Sequence, residues 1–155
     1  MTGIGSHRWR RGQEGQVAGL EMVFFGVLVF VVGVLVIGNA WAVVDARIAA
    51  GDAAREAARA FVQSTDAAGA AAAADAAGRD ALASEGRDAR RATFDVTGTL
   101  ARCARITVSV AYPVSLVGLP WVGGPGRLLT VHASQSELVD PYRSGLPGVA
   151  SCATG

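Results

Sequence analysis

Residues 22–44 read MVFFGVLVFVVGVLVIGNAWAVV and contain no charged side chain. A helix rises ~1.5 Å per residue, so roughly 20 apolar residues cross the ~30 Å hydrocarbon core of a bilayer. Because a backbone in lipid must satisfy its own hydrogen bonds, a lone segment crosses as a helix. The run therefore predicts one membrane-spanning helix, with the lipid bilayer as its partner.

The flanks of this run predict its orientation. Arg8, Arg10 and Arg11 precede it, whereas charges of both signs follow it, beginning with Asp45 and Arg47. An excess of arginine on a short flank holds that flank in the cytoplasm. We expect a single-pass protein of the cell membrane, with the N-terminus cytoplasmic and the residues after about 44 extracytoplasmic.

Composition agrees with a membrane protein and argues against a nucleic-acid partner. Only 17% of residues are charged and 51% are hydrophobic, whereas soluble domains carry about 25% charged residues. The net charge is +1, and no segment forms a basic face of the kind that binds nucleic acid.

A secretory signal peptide is the alternative for this N-terminus. Ala40-Trp41-Ala42 has the A-x-A form of a cleavage site, which would place the cut after Ala42. Two features oppose it: the apolar run exceeds the usual ~7–15 residues, and the carboxylate of Glu21 lies at its leading edge.

The helix is predicted to continue beyond the membrane, so that residues 17–63 form a transmembrane and stalk helix. The segment from Asp45 to Gln63 has no proline and consists mostly of strong helix formers. Its apolar stripe is thin, and we assign it to Ile48, Ala58, Phe61 and Val62.

Residues 64–92 form an alanine-rich helical segment. Ser64, Thr65 and Asp66 offer capping side chains, but Leu82 is the one large apolar residue after them. The pattern predicts a marginal helix or a helix pair, and disorder is the alternative.

Residues 93–155 are predicted to form an extracytoplasmic β domain. Segments 93–99, 104–114 and 127–136 are rich in β-branched or alternating apolar residues, which is typical of strands. Between the last two, Pro113, Pro120 and Pro125 oppose a regular central strand. With 1–16 as a cytoplasmic basic leader, the fold class is α+β: a long N-terminal transmembrane and stalk helix, an alanine-rich helix, and a small antiparallel sheet closed by a tail from Asp140.

The two cysteines, Cys103 and Cys152, lie in the predicted extracytoplasmic part. An oxidising compartment favours a disulfide between them. Two unpaired thiols are the alternative.

No group of residues has the pattern of a catalytic centre, so we expect no enzyme activity, no cofactor and no metal site. The histidines His7 and His132 are far apart, and the cysteines lack zinc-site spacing. The glycines at 123–126 lack the lysine and helix of a phosphate loop.

Four stretches in their order and spacing resemble a known family. They are GQVAGLEMVFFGVLVFVV at 15–32, DARIAAGDAAREAARAFV at 45–62, ITVSVAYPVSLVG at 106–118 and SELVDPYRSGLPG at 136–148. With a basic leader, glycines at 12 and 15 and Glu21, they resemble type IV pilin-like leaders and, more closely, the TadE-like minor pseudopilins of tight-adherence pili in their actinobacterial form.

The resemblance implies a pilin-like fold, a role in pilus assembly, other pilus subunits as partners and a leader cut by a prepilin peptidase. In that family the cut commonly follows a glycine and leaves glutamate fifth. Here a cut after Gly15 makes Glu21 the sixth residue, and a cut after Gln16 makes it the fifth. The leader-processing region is thus Gly15, Gln16, Val17 and Glu21, and Glu21 is the implied subunit contact, facing a neighbour's new amino group at Gln16 or Val17. The alternative is a signal-anchored or secreted extracytoplasmic binding domain with no pilus role.

Overall fold

The computed structural model describes residues 14–117 and 128–152, with side chains from Glu21 onward. The described elements are the helices α1 (Glu14–Gln63) and α2 (Ala67–Ser84), a 3-10 turn (Ala89–Arg91), and the strands β1 (Thr93–Thr97), β2 (Arg105–Ser115) and β3 (Leu128–Leu138). This is the α+β class that the sequence predicts. The chain divides after Gly38 into two compact units.

The first unit contains the apolar run of α1 as far as Gly38. From Met22 to Ile37 its large side chains are exposed or nearly so, and none of its most hydrophobic stretch is buried. Among the described residues, this is the one helix near the N-terminus that is long and apolar enough to cross a membrane. An exposed apolar helix of this kind fits a single-pass membrane anchor.

The second unit contains an antiparallel sheet in the order β1-β2-β3. Val110 of the central strand pairs with Phe94 on one side and Ala133 on the other. Alternate residues of β2 are buried on one face of the sheet, as the period of two predicts; they are Ile106, Val108, Val110, Tyr112 and Val114.

The second strand agrees with the predicted segment 104–114 to within one residue at each end. Pro113 was expected to oppose a regular strand, yet β2 runs through it to Ser115, and Pro113 pairs with Thr130. The last β2 residue that pairs with β1 is Ala111, so β2 is an edge strand where Pro113 lies. A proline is tolerated at an edge because one side of the strand has no ladder to break. Arg127, the predicted start of the third strand, lies outside the described residues, as do Pro120 and Pro125.

The face that α1 contributes to the core agrees only in part with the predicted stripe. Ala58 and Phe61 are buried and Val62 is half-buried, but Ile48 is 59% exposed, and most of the core face consists of alanines. Together with Phe61, seven of them are at most 5% exposed; they are Ala46, Ala49, Ala50, Ala53, Ala54, Ala57 and Ala58. They form one core with the buried side chains of β2. The small methyl group permits close packing of a helix, which a hydropathy scale does not register.

Residues 67–84 form a single helix, α2, and not a helix pair. Asp66 caps it as predicted, with its carboxylate accepting a hydrogen bond of 2.7 Å from the N–H of Gly69. One face is buried at Ala70, Ala74, Gly78 and Leu82.

The end of α2 is tied to the 3-10 turn by Arg79. Its guanidinium donates two hydrogen bonds to Asp75, at 2.7 and 3.0 Å, and one of 2.8 Å to the carbonyl of Ala89. The hydrogen bond to Asp75 is the main cause that raises the pKa of Arg79 above its ordinary value, and burial opposes it. The guanidinium of Arg79 stays protonated at physiological pH, as arginine does in proteins.

The segment after β3 closes the sheet, as the sequence predicts. Val139 and Leu146 are buried, and the N–H of Arg102 donates a 2.8 Å hydrogen bond to the carbonyl of Pro147. Arg143 donates to the last carbonyls of α1, at Val62 and Gln63. The tail thus holds both the β1–β2 connection and the end of α1, whose terminal carbonyls lack helical partners.

Two glycines on the helices of this unit give opposite expectations. A Cβ at Gly78 would overlap the Phe94 ring, lying 2.8 Å from Cζ and closer still to Cε1, whereas a Cβ at Gly51 meets nothing within 4 Å. We expect Gly78→Ala to lower the free energy of unfolding by about 1–3 kcal/mol through overpacking. Gly51→Ala should raise it by up to about 1 kcal/mol through helix propensity.

Chemical denaturation of the detergent-solubilised full chain measures both changes, with Gly51→Ala as the matched control. Equal effects of the two substitutions would contradict the contact between α2 and Phe94.

Candidate functional site

Glu21 stands at the head of the exposed apolar helix. Its side chain is exposed, and Met22, Phe24 and Phe25 directly after it are exposed as well. No ion pair between described residues includes Glu21. Gly15, Gln16 and Val17 lie on the helical backbone of α1, but their side-chain environment is outside the described part of the chain.

Cys103 and Cys152 form a disulfide, as predicted, with an S–S distance of 2.05 Å and Cα atoms 5.1 Å apart. Cys103 has a φ of 62°, in the left-handed region. Its N–H donates a 3.1 Å hydrogen bond to the carbonyl of Val139. The bond therefore fastens the tail to the turn between β1 and β2, at the end of the sheet where β2 begins.

At the opposite end of β2, Asn39 of α1 binds the backbone of Val117. The Asn39 side chain donates to the Val117 carbonyl at 3.1 Å and accepts from the Val117 N–H at 2.8 Å. Both backbone polar groups of residue Val117 are thus satisfied by one amide side chain. The sequence analysis missed this residue, although a signal was present: Asn39 is the only amide, hydroxyl or charged side chain in residues 22–44.

Two arginines lie beside the ring of Tyr112, and one of them contacts Asp45, the first charged residue after the apolar run. The guanidinium carbons of Arg87 and Arg91 lie 5.5 and 5.9 Å from the ring centroid, within cation–π range. Arg87 donates a 2.5 Å hydrogen bond to the carboxylate of Asp45, and Arg91 donates a 3.3 Å bond to the hydroxyl of Ser115. These five residues, Asp45, Arg87, Arg91, Tyr112 and Ser115, are called the arginine cluster below. No sequence pattern indicated the arginine cluster, since its members come from four different elements or connections.

Two open cavities lie on the second unit. One of about 290 Å³ is lined by the arginine cluster together with Ala42 and residues 113–115. The other, of about 490 Å³, is lined by Arg47, Gly51, His132 and neighbouring residues of β2 and β3. His7 is outside the described residues, and within those residues no three His, Cys, Asp or Glu side chains come together as a metal site would require.

The chain has no match among family models, curated proteins or solved structures. The structural features that bear on function are the exposed apolar run of α1 that follows Glu21, the disulfide, and the polar contacts at Asn39 and Tyr112.

The disulfide should contribute strongly to the stability of the second unit. It closes a sequence separation of 49 residues, for which the chain-entropy model gives about 4 kcal/mol. We expect Cys152→Ser to lower the free energy of unfolding by a large part of that amount, because the unfolded chain regains its freedom. Denaturation of the full chain in detergent measures the loss.

Ser151→Ala, a change at the adjacent residue, serves as the control and should leave stability unchanged within about 0.5 kcal/mol. A reductant should destabilise the wild-type chain and leave Cys152→Ser unaffected. Equal responses of the two chains to reductant would count against the bond.

Proposed function

We propose that this protein is a TadE-like minor pseudopilin, a membrane-anchored subunit that takes part in assembly of a type IV-like, tight-adherence pilus. The observation that carries the proposal is a single exposed carboxylate, Glu21, at the head of a long exposed apolar helix. The basic leader before it and the disulfide-bonded α+β unit after it agree with a subunit whose N-terminus is cytoplasmic and whose sheet is extracytoplasmic.

Glu21 has a physical role in such an assembly. A carboxylate beside lipid is costly, and the cost falls when an opposite charge lies close by. Cleavage by a prepilin peptidase on the cytoplasmic side would create an α-amino group at Gln16 or Val17. In a bundle of identical or related helices, that amino group on one subunit neutralises Glu21 on the next.

The apolar helix also suits contact with other helices. Gly19, Gly26 and Gly33 recur every seven residues, and a Cβ at any of them would meet nothing within 4 Å. Small residues on one face let membrane helices approach closely. This supports other pilus subunits as partners of the span, in addition to lipid.

The mature N-terminus is the first test of the proposal. We expect mass spectrometry of protein isolated from the membrane to find Gln16 or Val17 as the first residue, because a prepilin peptidase cuts before the apolar helix. A mature chain that begins at Val43 would instead identify a signal-peptidase product. An intact leader would indicate a simple anchored domain, and either result would contradict a processed pseudopilin.

The charge of Glu21 is the second test. We expect Glu21→Gln and Glu21→Ala to insert into the membrane normally but to reduce crosslinking to other pilus subunits about tenfold, equivalent to about 1.4 kcal/mol. Glu21→Asp keeps the charge with a shorter reach and should lie between them and wild type.

Crosslinking of membrane-inserted variants in cells that express the pilus components measures this association. Met22→Ala, a change at the adjacent apolar residue, is the control and should crosslink like wild type. Unchanged association of both Glu21→Gln and Glu21→Ala would reduce Glu21 to an interfacial flank.

A further inference from the structure

The contact between Asn39 and Val117 joins the end of β2 to the last part of the charge-free run. Asn39 precedes Val44, the end of the charge-free run, by five positions, or about 8 Å along the helix. Its two hydrogen bonds hold Val117 beside it. A backbone N–H or C=O is costly to leave unpaired away from water, and the Asn39 amide pairs with both of these groups of Val117.

The end of the sheet nearest to this contact is apolar and exposed. Val117 is 64% exposed and Leu128, which pairs with Ser115, is 65% exposed. On α1, Trp41 is 72% exposed at the same level. Farther along β3 most of the exposed residues are polar, as at His132, Ser134 and Ser136, and the strand ends at the less exposed Leu138. Exposed aliphatic groups with a tryptophan are typical of a membrane–water interface.

The arginine cluster stands next to this apolar end. Asp45, the first charged residue after the run, binds Arg87, and Arg91 contacts Ser115. Arg91 donates one hydrogen bond to that hydroxyl. A guanidinium has five N–H donors, and their geometry suits a phosphate. The apolar residues Val117 and Leu128 with the cationic Arg91 beside them match the order of acyl chains and headgroup phosphates in a lipid leaflet.

We propose that this end of the second unit rests on the outer lipid surface of the membrane that α1 spans. Val117 and Leu128 contact the acyl-chain boundary, and Arg91 binds a lipid phosphate. The occupant is lipid because the patch is continuous with the membrane-spanning run at residues 39–44. The inference rests on the single-pass anchor but not on a role in pili.

Leucines at the two ends of β3 provide a matched test. Leu128 and Leu138 are both exposed, 65% and 46%, and lie about 33 Å apart along one strand. The full chain is placed in nanodiscs of phosphatidylethanolamine and phosphatidylglycerol that carry an alkyne on their acyl chains. Benzoylphenylalanine replaces Leu128, Leu138 or, within the span, Phe30, and lipid crosslinking is measured after irradiation.

We expect strong crosslinking at positions 128 and 30 and at least fivefold less at 138. If position 30 crosslinks but position 128 crosslinks no more than position 138, the contact of the sheet with lipid is overturned, while the membrane anchor stands. Failure at position 30 would remove the anchor and the inference together.

Arginine contact with phosphate is tested on the same particles. Arg90 and Arg91 are adjacent and both exposed, but only Arg91 contacts Tyr112 and Ser115. With benzoylphenylalanine at 128, we expect Arg91→Gln to reduce crosslinking about threefold and Arg90→Gln to leave it unchanged. Equal effects of the two variants would overturn the assignment of Arg91 to a phosphate.

Discussion

A three-stranded sheet with one apolar face is unstable unless another element covers that face. Here the cover comes from helices whose buried residues are mostly alanine and glycine. Phe61 of α1 and Leu82 of α2 are the larger buried side chains on these helices. Alanine and glycine lose little side-chain entropy on burial and pack closely, but each residue removes little area from water. Because this packing buries little area, contacts at the ends of the elements also hold the second unit together. Arg143 holds the end of α1, the disulfide holds the tail, and Asn39 holds the far end of β2.

The parts of the fold that depend on local pattern could be predicted from the sequence. The alternation in β2, the cap at Asp66 and the apolar run each place a recognisable chemical type at a fixed spacing. The alanine face could not be predicted in the same way, because alanine is frequent on every side of these helices and only packing decides which methyl groups are buried. Ile48 was predicted to be buried because it is more hydrophobic than any single alanine, yet it is exposed. The tolerance of Pro113 within β2 depends on where β1 begins, which the local sequence around Pro113 does not indicate.

The site residues likewise divide into those that the sequence could predict and those that depend on long-range contacts. Cys103 and Cys152 could be paired because they are the only two cysteines and the compartment was inferred first. The contact of Asn39 with Val117 joins residues 78 positions apart, and the arginine cluster joins Asp45 to Arg87 across 42. No spacing rule connects such positions. What the sequence does contain is the anomaly itself, one amide in a run that is otherwise apolar, and a polar group there needs a partner by physical necessity.

The same reasoning distinguishes the two polar side chains that border the apolar run. Asn39 carries donors and an acceptor, and the backbone of Val117 satisfies them within the chain. Glu21 carries a charge, and none of the ion pairs between described residues includes it. A carboxylate offers only acceptors, so a neighbouring apolar helix cannot satisfy it, and lipid acyl chains make its desolvation costly. Of the two, Glu21 is the residue that our proposal pairs with another molecule. The cationic amino terminus of an adjacent subunit would be that partner in the proposed assembly, whereas Asn39 already has its partner in Val117.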